Sequence, residues 1–396
     1  MSTAVIVATS VASLAPFFIY WEKFTNLYWF SDDWDLLDGA ASLGLSQWLL
    51  EPFLKESVIP LFKLLWLAAV ELFEGSYLAM LGLVWATHLA ILLLFGFLLR
   101  RSGFSPAAIA CVVLTLGLAW TNIETLGWAA QWSPQLALLF FLIAWHWQWR
   151  LVERPAAPLE TAGLALCVLA SALSSSRGII SGLLVALFAV QRRRYLLAVV
   201  SLAPSVLVAL VQVLWASRAG EPHAAAVYAA CYWLLNPLYL LLPIPKKAVD
   251  TQALILCGAL KALFLACGLR RDRPLLVTLA AFDLLNAVAL GWARYHTGLA
   301  TTVSSRYQYI SLFCFGPLVA SALARFRLPR PIIVVAFVAW VGLLVYPWKR
   351  HADRWSRCRG AEVRAALASA APNQRFGPAL ITAARARELV RGYRLH

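Results

Sequence analysis

Apolar residues run through this chain in long unbroken stretches, and polar residues are confined to the connectors between them. Segments such as 78–99 and 331–346 are apolar on every face, unlike a surface helix with one apolar stripe or a half-buried strand that alternates. Bilayer helices need about 17 to 25 residues. Candidates fall at roughly 4–20, 76–99, 106–122, 134–149, 159–174, 178–191, 195–216, 251–269, 274–291, 307–324 and 331–348. With no water in hydrocarbon, only helices or closed barrels satisfy the backbone, and barrel strands would alternate. The predicted fold class is therefore all-α: a polytopic helical membrane protein of about eleven transmembrane helices, the first taken as an uncleaved span, with amphipathic helices at its outer face.

The connectors orient it. If the first span leaves the cytoplasm, the inner connectors hold Arg100 and Arg101, Arg150 and Arg154, Arg192 to Arg194, Arg270, Arg271 and Arg273, and Arg325, Arg327 and Arg330. That is the excess of cations expected on the cytoplasmic side. The outer side then holds most acids, and it has three substantial connectors. The first, about 21–75, carries an acid cluster, a short helical stretch near 43–54 and an apolar helix after Pro60 that suits the interface. The second, about 217–250, is aromatic and ends in Lys246 and Lys247, and it too reads as interface-hugging. The third, 292–308, includes Arg294, Arg306 and Tyr307. One membrane domain at 1–348 is expected, followed by a basic tail at 349–396 whose side the charge pattern leaves open.

Composition agrees. The 396 residues are 62% hydrophobic and 13% charged, with mean hydropathy +0.74, whereas soluble domains are about 45–50% apolar and about 25% charged. A net charge of +15 reflects orientation and anionic lipid rather than nucleic acid. The seven cysteines lie mostly in apolar runs without a CxxC pair, so neither disulfides nor zinc are indicated. The six histidines show no metal-binding spacing, and His88 within the second span reads as packed against a polar neighbour. Walker, GxSxG and GxGxxG motifs are missing.

Chemistry concentrates in Trp29-Phe30-Ser31-Asp32-Asp33-Trp34-Asp35-Leu36-Leu37-Asp38. Ionised carboxylates are costly in hydrocarbon, so this cluster belongs in water at the end of the first span, read as a loop. An aspartate there can act as general base for a hydroxyl nucleophile. A leaving group that departs as an anion needs a cation. Arg306 is the first choice because guanidinium matches phosphate oxygens in a bidentate manner, with Lys246, Lys247, Arg294 and Arg177 as alternatives. Asp35, Glu124, Tyr307 and His88 are candidates for acceptor contact or loop support. The alternative for all of these charges is a solvated, charge-paired rim. Asp283 and Asn286, one turn apart in the ninth span, form the main polar pair inside the membrane.

The acidic pair Asp32-Asp33 after a first span, the element Ile59-Pro60-Leu61, and Leu72-Phe73-Glu74-Gly75 before a span containing His88 together resemble the C-type (GT-C) membrane glycosyltransferases. The likeness is to the protein-mannosyltransferase and aminoarabinose-transferase-like branch, over about the first 110 residues and by topology afterwards. Ser174-Ser175-Ser176-Arg177-Gly178 looks like a Ser-Lys-Glu-x-Gly turn of some relatives. The resemblance implies a polyprenyl-phosphate-linked sugar donor and a glycan, lipid or protein acceptor. It also implies inversion at the anomeric carbon and an active site facing the periplasm from a bacterial inner membrane. Asp32 would be the base, and Asp33 would orient it or contact the acceptor. No cofactor is expected; Mg or Mn on Asp32, Asp33 and Glu124 is the alternative, since some relatives bind a divalent cation through acids. Rival readings are a lipid or polysaccharide carrier or flippase, and a non-catalytic assembly subunit on the same scaffold.

Overall fold

A computed structural model describes residues 2–54, 56–154, 157–215, 222–241, 250–269, 273–325, 329–376 and 379–396. Among these residues the structure is helical, and its only β features are isolated bridges, Phe53 with Ser57 and Arg375 with Thr382. Helices occupy every apolar stretch named above. Four of them, Tyr77–Arg101, Tyr195–Leu214, Thr251–Gly268 and Pro274–Thr297, are long and apolar enough to cross a membrane. A fifth candidate is the pair Pro106–Leu118 and Trp120–Leu126, bent by 46°. The chain is thus a helical membrane protein. The remaining stretches form helices that are shorter or, as in Trp132–Glu153 and Ser305–Leu323, less apolar, so the expected eleven crossings exceed the four or five that length and apolarity support among the described residues.

Local sequence explains the ends of these elements. We label α1 as Asp32–Ser42, α2 as Pro60–Leu72 and α3 as Tyr77–Arg101. Proline fits the first helical turn, where its missing N–H is no loss, and Pro60 begins α2. The Ser76 side chain accepts from Ala79 N at the start of α3, and Arg100 and Arg101 lie in its last turn, where cations suit the negative end of the helix. At that end the arginine-rich connectors meet: Arg101 pairs with Glu153, and Arg273 donates to Gly103 O.

The buried apolar residues form two principal cores. One fills the helix bundle, with Phe95, Phe141, Trp145, Phe188 and Phe313 among its fully buried rings and near-buried rings. The other lies over the opposite end. It joins Trp29, Trp34 and Leu37 of the first connector to Trp66 of α2, Trp128, and Trp348, Phe376, Leu389 and Leu395 of the C-terminal segment. The residues after 348 therefore pack onto the first connector and share its face. Two glycines permit this approach. Gly75 holds φ +77°, and an added Cβ would lie 2.3 Å from Tyr393 O; a Cβ on Gly360 would lie 1.8 Å from Asn26 O.

The second long connector packs its aromatic residues inward. Its described part holds the helix α4 (Pro222–Leu235) and a short helix Leu238–Leu241. Tyr228 and Tyr232 are fully buried, and α4 approaches α5 (Pro274–Arg294) so closely that a Cβ on Gly291 would lie 2.4 Å from Ala225 O. The aromatic residues mark a packed face, since Tyr side chains bury well when the hydroxyl finds a partner: Tyr232 donates to Tyr307 O at 2.8 Å.

Candidate active site

The acid cluster opens α1 instead of forming a loop. Asp32, Asp33 and Asp35 occupy its first turn, where carboxylates suit the positive end of a helix. Ser31, just before them, has φ 49° and ψ −117°, a region that costs a non-glycine residue about 1–3 kcal/mol and tends to occur at functional sites.

Three of the four carboxylates are committed to holding the structure. Asp33 is fully buried and accepts from Phe30 N at 3.1 Å and from Ala130 N at 3.0 Å, joining the first connector to the segment after the bent pair. Burial pushes its carboxyl well above the usual 3.8, although the two N–H donors and Arg359 pull the other way. Asp35 accepts from Leu380 N at 3.0 Å, and burial raises its carboxyl too. Asp38 receives Arg385 Nε at 2.6 Å. Asp32 is the partly exposed member of the pair, and its carboxylate accepts from its neighbour, Ser31 Oγ, at 2.9 Å.

Around Asp32 the connectors at this end of the bundle converge. Its charge bears on both Glu56 and Arg306. Glu56 pairs with Arg294 Nη2 at 2.8 Å, and burial raises its carboxyl despite that partner. Glu124 accepts from Ser305 Oγ at 2.5 Å and Arg306 N at 3.1 Å, so it pins the start of the helix Ser305–Leu323. The Arg306 guanidinium lies 5.1 Å from the Tyr307 ring centroid, with Arg177 at 5.3 Å from the same ring. Arg306 Nε is buried and has no hydrogen-bond partner among the described residues.

Asp32, Asp33, Glu124, Arg306, Arg177, Arg294 and Tyr307 thus come from separate connectors to one end of the bundle. Asp35 faces the C-terminal segment. His88 stands apart inside α3, its Nδ1 2.7 Å from Tyr309 Oη and its ring against Trp85, as a packed polar residue should be. Lys246 and Lys247 lie outside the described residues. No group of three His, Cys, Asp or Glu side chains placed to hold a metal occurs among the described residues. Asp33 accepts from backbone N–H groups, and Glu124 from Ser305 and Arg306.

Arg359 was not anticipated. Its guanidinium lies 3.7 Å from the Trp355 ring centroid, 4.2 Å from Phe30 and 4.9 Å from Trp128, a stacked cation–π arrangement. Nη2 is 3.5 Å from Glu124 Oε1, and Nη1 is buried without a partner among the described residues. Beside it is a cavity of about 620 Å³ lined by Phe30, Glu124, Ser305, Trp355 and Arg359. Glu56 was also missed. The usable signal was electrostatic: a tail with about eleven Lys and Arg calls for acids on whichever face it packs against.

No protein-family model matches the chain, and no curated protein matches it. Among solved structures it is similar to the apo-form oligosaccharyltransferase of Archaeoglobus fulgidus, at 14% identity and a TM-score of 0.47. The match covers 94% of this chain and 58% of that one, so the chain spans less than two thirds of that protein. At that distance the likeness carries neither an activity nor a substrate across.

Proposed function

We propose that this protein is a membrane glycosyltransferase of the C-type class that transfers a sugar from a polyprenyl-phosphate donor to an acceptor hydroxyl at the outer membrane face. In this reading the acceptor O–H gives its proton to the Asp32 carboxylate as its oxygen attacks the anomeric carbon from the side opposite the phosphate. The anomeric C–O bond to phosphate breaks, its electron pair leaves with the polyprenyl phosphate, and the sugar is inverted. Arg306 faces the charge that develops on the departing phosphate, a stabilisation realised mainly in the transition state. Asp33 is a positioning residue that fixes the turn from which Asp32 projects. The class assignment rests on the first-connector motifs; the bacterial inner membrane and periplasmic face follow from the same resemblance.

The observation that carries the reading is the division of labour among the acids. Asp33, Asp35 and Asp38 are occupied by backbone or arginine partners, while the partly exposed Asp32 lies within electrostatic reach of Arg306, whose Nε is unpaired.

The test is transfer of labelled sugar from a polyprenyl-phosphate donor in proteoliposomes. Asp32→Asn should lower the rate by about 10²–10⁴-fold, the usual worth of a general base, with membrane yield unchanged. Full activity in that variant would remove Asp32 from the chemistry, whereas no transfer by the wild-type protein would favour the non-catalytic scaffold. The reaction is proposed to need no divalent cation, so wild-type transfer should persist in excess chelator; loss restored by Mg or Mn would overturn that part.

A further inference from the structure

The C-terminal segment forms a groove that the site described above does not account for. Helix Arg330–Val345 turns Val334, Val335 and Val338 outward at 60%, 68% and 63% exposure, an apolar surface suited to lipid chains. Directly beyond it lies a cavity of about 1030 Å³. Its wall passes from apolar Leu343 and Tyr346 to basic Lys349, Arg350, Arg354 and Arg357. Asp353, the acid on this wall, pairs with Lys23 at 2.9 Å, which leaves the four cations in excess. Trp120, Leu240, His351 and Arg354 line both this cavity and the smaller one beside Glu124, Ser305 and Arg359. The two cavities therefore share a wall, and the basic groove adjoins the cavity that Arg359 lines.

We propose that this groove binds a lipid-linked phosphate, with the chain along Leu343 and Tyr346 and the phosphate against Arg354 and Arg357. Charge complementarity is joined here to an apolar entrance: a free anion would not use the entrance, and a neutral lipid would not use the cations. Guanidinium and ammonium groups near a membrane surface each attract acidic headgroups. The inference rests on the transferase reading for its purpose, as the seat by which the donor arrives, but binding can be measured without turnover.

The experiment is binding of farnesyl phosphate to the full chain in neutral detergent micelles, compared with farnesol, inorganic phosphate and phosphatidylglycerol. Farnesyl phosphate should bind about tenfold or more tightly than each of the others, and Arg354→Glu with Arg357→Glu should weaken it by about tenfold or more. Arg391→Glu, on the exposed side of the last helix, is the control and should leave binding intact. Arg354→Gln with Arg357→Gln gives a second, milder pair should charge reversal disturb folding. Equal binding of inorganic phosphate would reduce the groove to a bare anion site, and equal binding of phosphatidylglycerol to a general acidic-lipid surface; either overturns the proposal. Unchanged affinity in both arginine pairs would overturn the groove and leave the transferase reading standing. Tight, groove-dependent binding without sugar transfer would overturn the transferase reading and leave the groove.

Discussion

Replacing Asp33 by asparagine separates a positioning acid from a reacting one. The Asp33 carboxylate receives two backbone N–H groups, from Phe30 and Ala130, one on each oxygen. Asparagine keeps one acceptor and sets an NH₂ against the other donor. A buried N–H left without a partner costs about 1–3 kcal/mol, so Asp33→Asn should destabilise by roughly 2–3 kcal/mol once the donor–donor contact is included. Asp33→Ala orphans both donors in a fully buried site and should cost roughly 3–5 kcal/mol. The assay is apparent melting in detergent micelles at matched protein concentration, with Asp32→Asn alongside. Asp32→Asn should melt with wild type, because its carboxylate is partly exposed and its hydrogen bond is to the adjacent Ser31.

A pH series tests the same reasoning. Because burial raises the folded-state value of Asp33 above 3.8, its stabilising contribution is fully present below the unfolded value. It is lost as pH rises through the folded one. The melting difference between wild type and Asp33→Asn should thus be largest in acid and narrow as pH rises. A gap that widens with pH, or an Asp33→Asn variant as stable as wild type while Asp32→Asn is not, would reverse the two roles.

Other outcomes follow from single contacts. Gly360→Ala puts a Cβ 1.8 Å from Asn26 O; forcing such an insertion costs about 1–3 kcal/mol or more, read as faster proteolysis of the C-terminal segment. Arg306→Ala should weaken binding of the polyprenyl-phosphate donor by about tenfold or more, the loss of one charge-assisted contact, and unchanged donor affinity would remove Arg306 from the phosphate. Lys261→Met strands Asp283 in the bundle interior and should destabilise by about 3–5 kcal/mol, whereas Lys261→Met with Asp283→Leu should recover most of it. Failure of the double variant to recover, measured by melting, would mean the pair is held for another reason.

Much of the helical pattern was legible because hydrophobic stretches between arginine-rich connectors admit few alternatives. The acid cluster takes a different local form from the loop expected of it. Asp32, Asp33 and Asp35 in a first turn are a helix-start signal, which reading the stretch as a water-exposed loop overlooked. The packing of the second connector was hidden for a different reason. Tyr228, Tyr232 and Trp233 look like an interface belt in sequence, and nothing local says that α5 carries Gly291 where α4 must pass. The tail was opaque because its partners are distant in sequence. Arg385 reaches Asp38, Leu380 N reaches Asp35, and Arg359 O receives Tyr28 N. The motif ending in Gly75 acquires its reason only with that segment in place: Gly75 O accepts from His396 N and from Trp29 Nε1.

The polar residues inside the bundle bear on the carrier alternative. A carrier needs polar groups that line a path and can exchange partners. Here Lys261 Nζ lies 2.5 Å from Asp283 Oδ2 and donates to Trp233 O and Asn236 O at 2.6 and 2.8 Å, while Ser311 Oγ donates to Asp283 Oδ1 at 2.8 Å. These bonds serve the end of α4. A helix terminating in an apolar interior leaves carbonyls that hydrocarbon cannot satisfy, and Lys261 supplies their donors while Asp283 balances its charge. Asn286 Nδ2 donates to Tyr232 Oη, Tyr232 Oη to Tyr307 O and Asn236 Nδ2 to Thr302 O, so the network continues into the segment that bears Arg306. Its chemistry is that of a brace: it satisfies a broken helix within the bundle and, through Tyr307, fixes the backbone from which Arg306 extends.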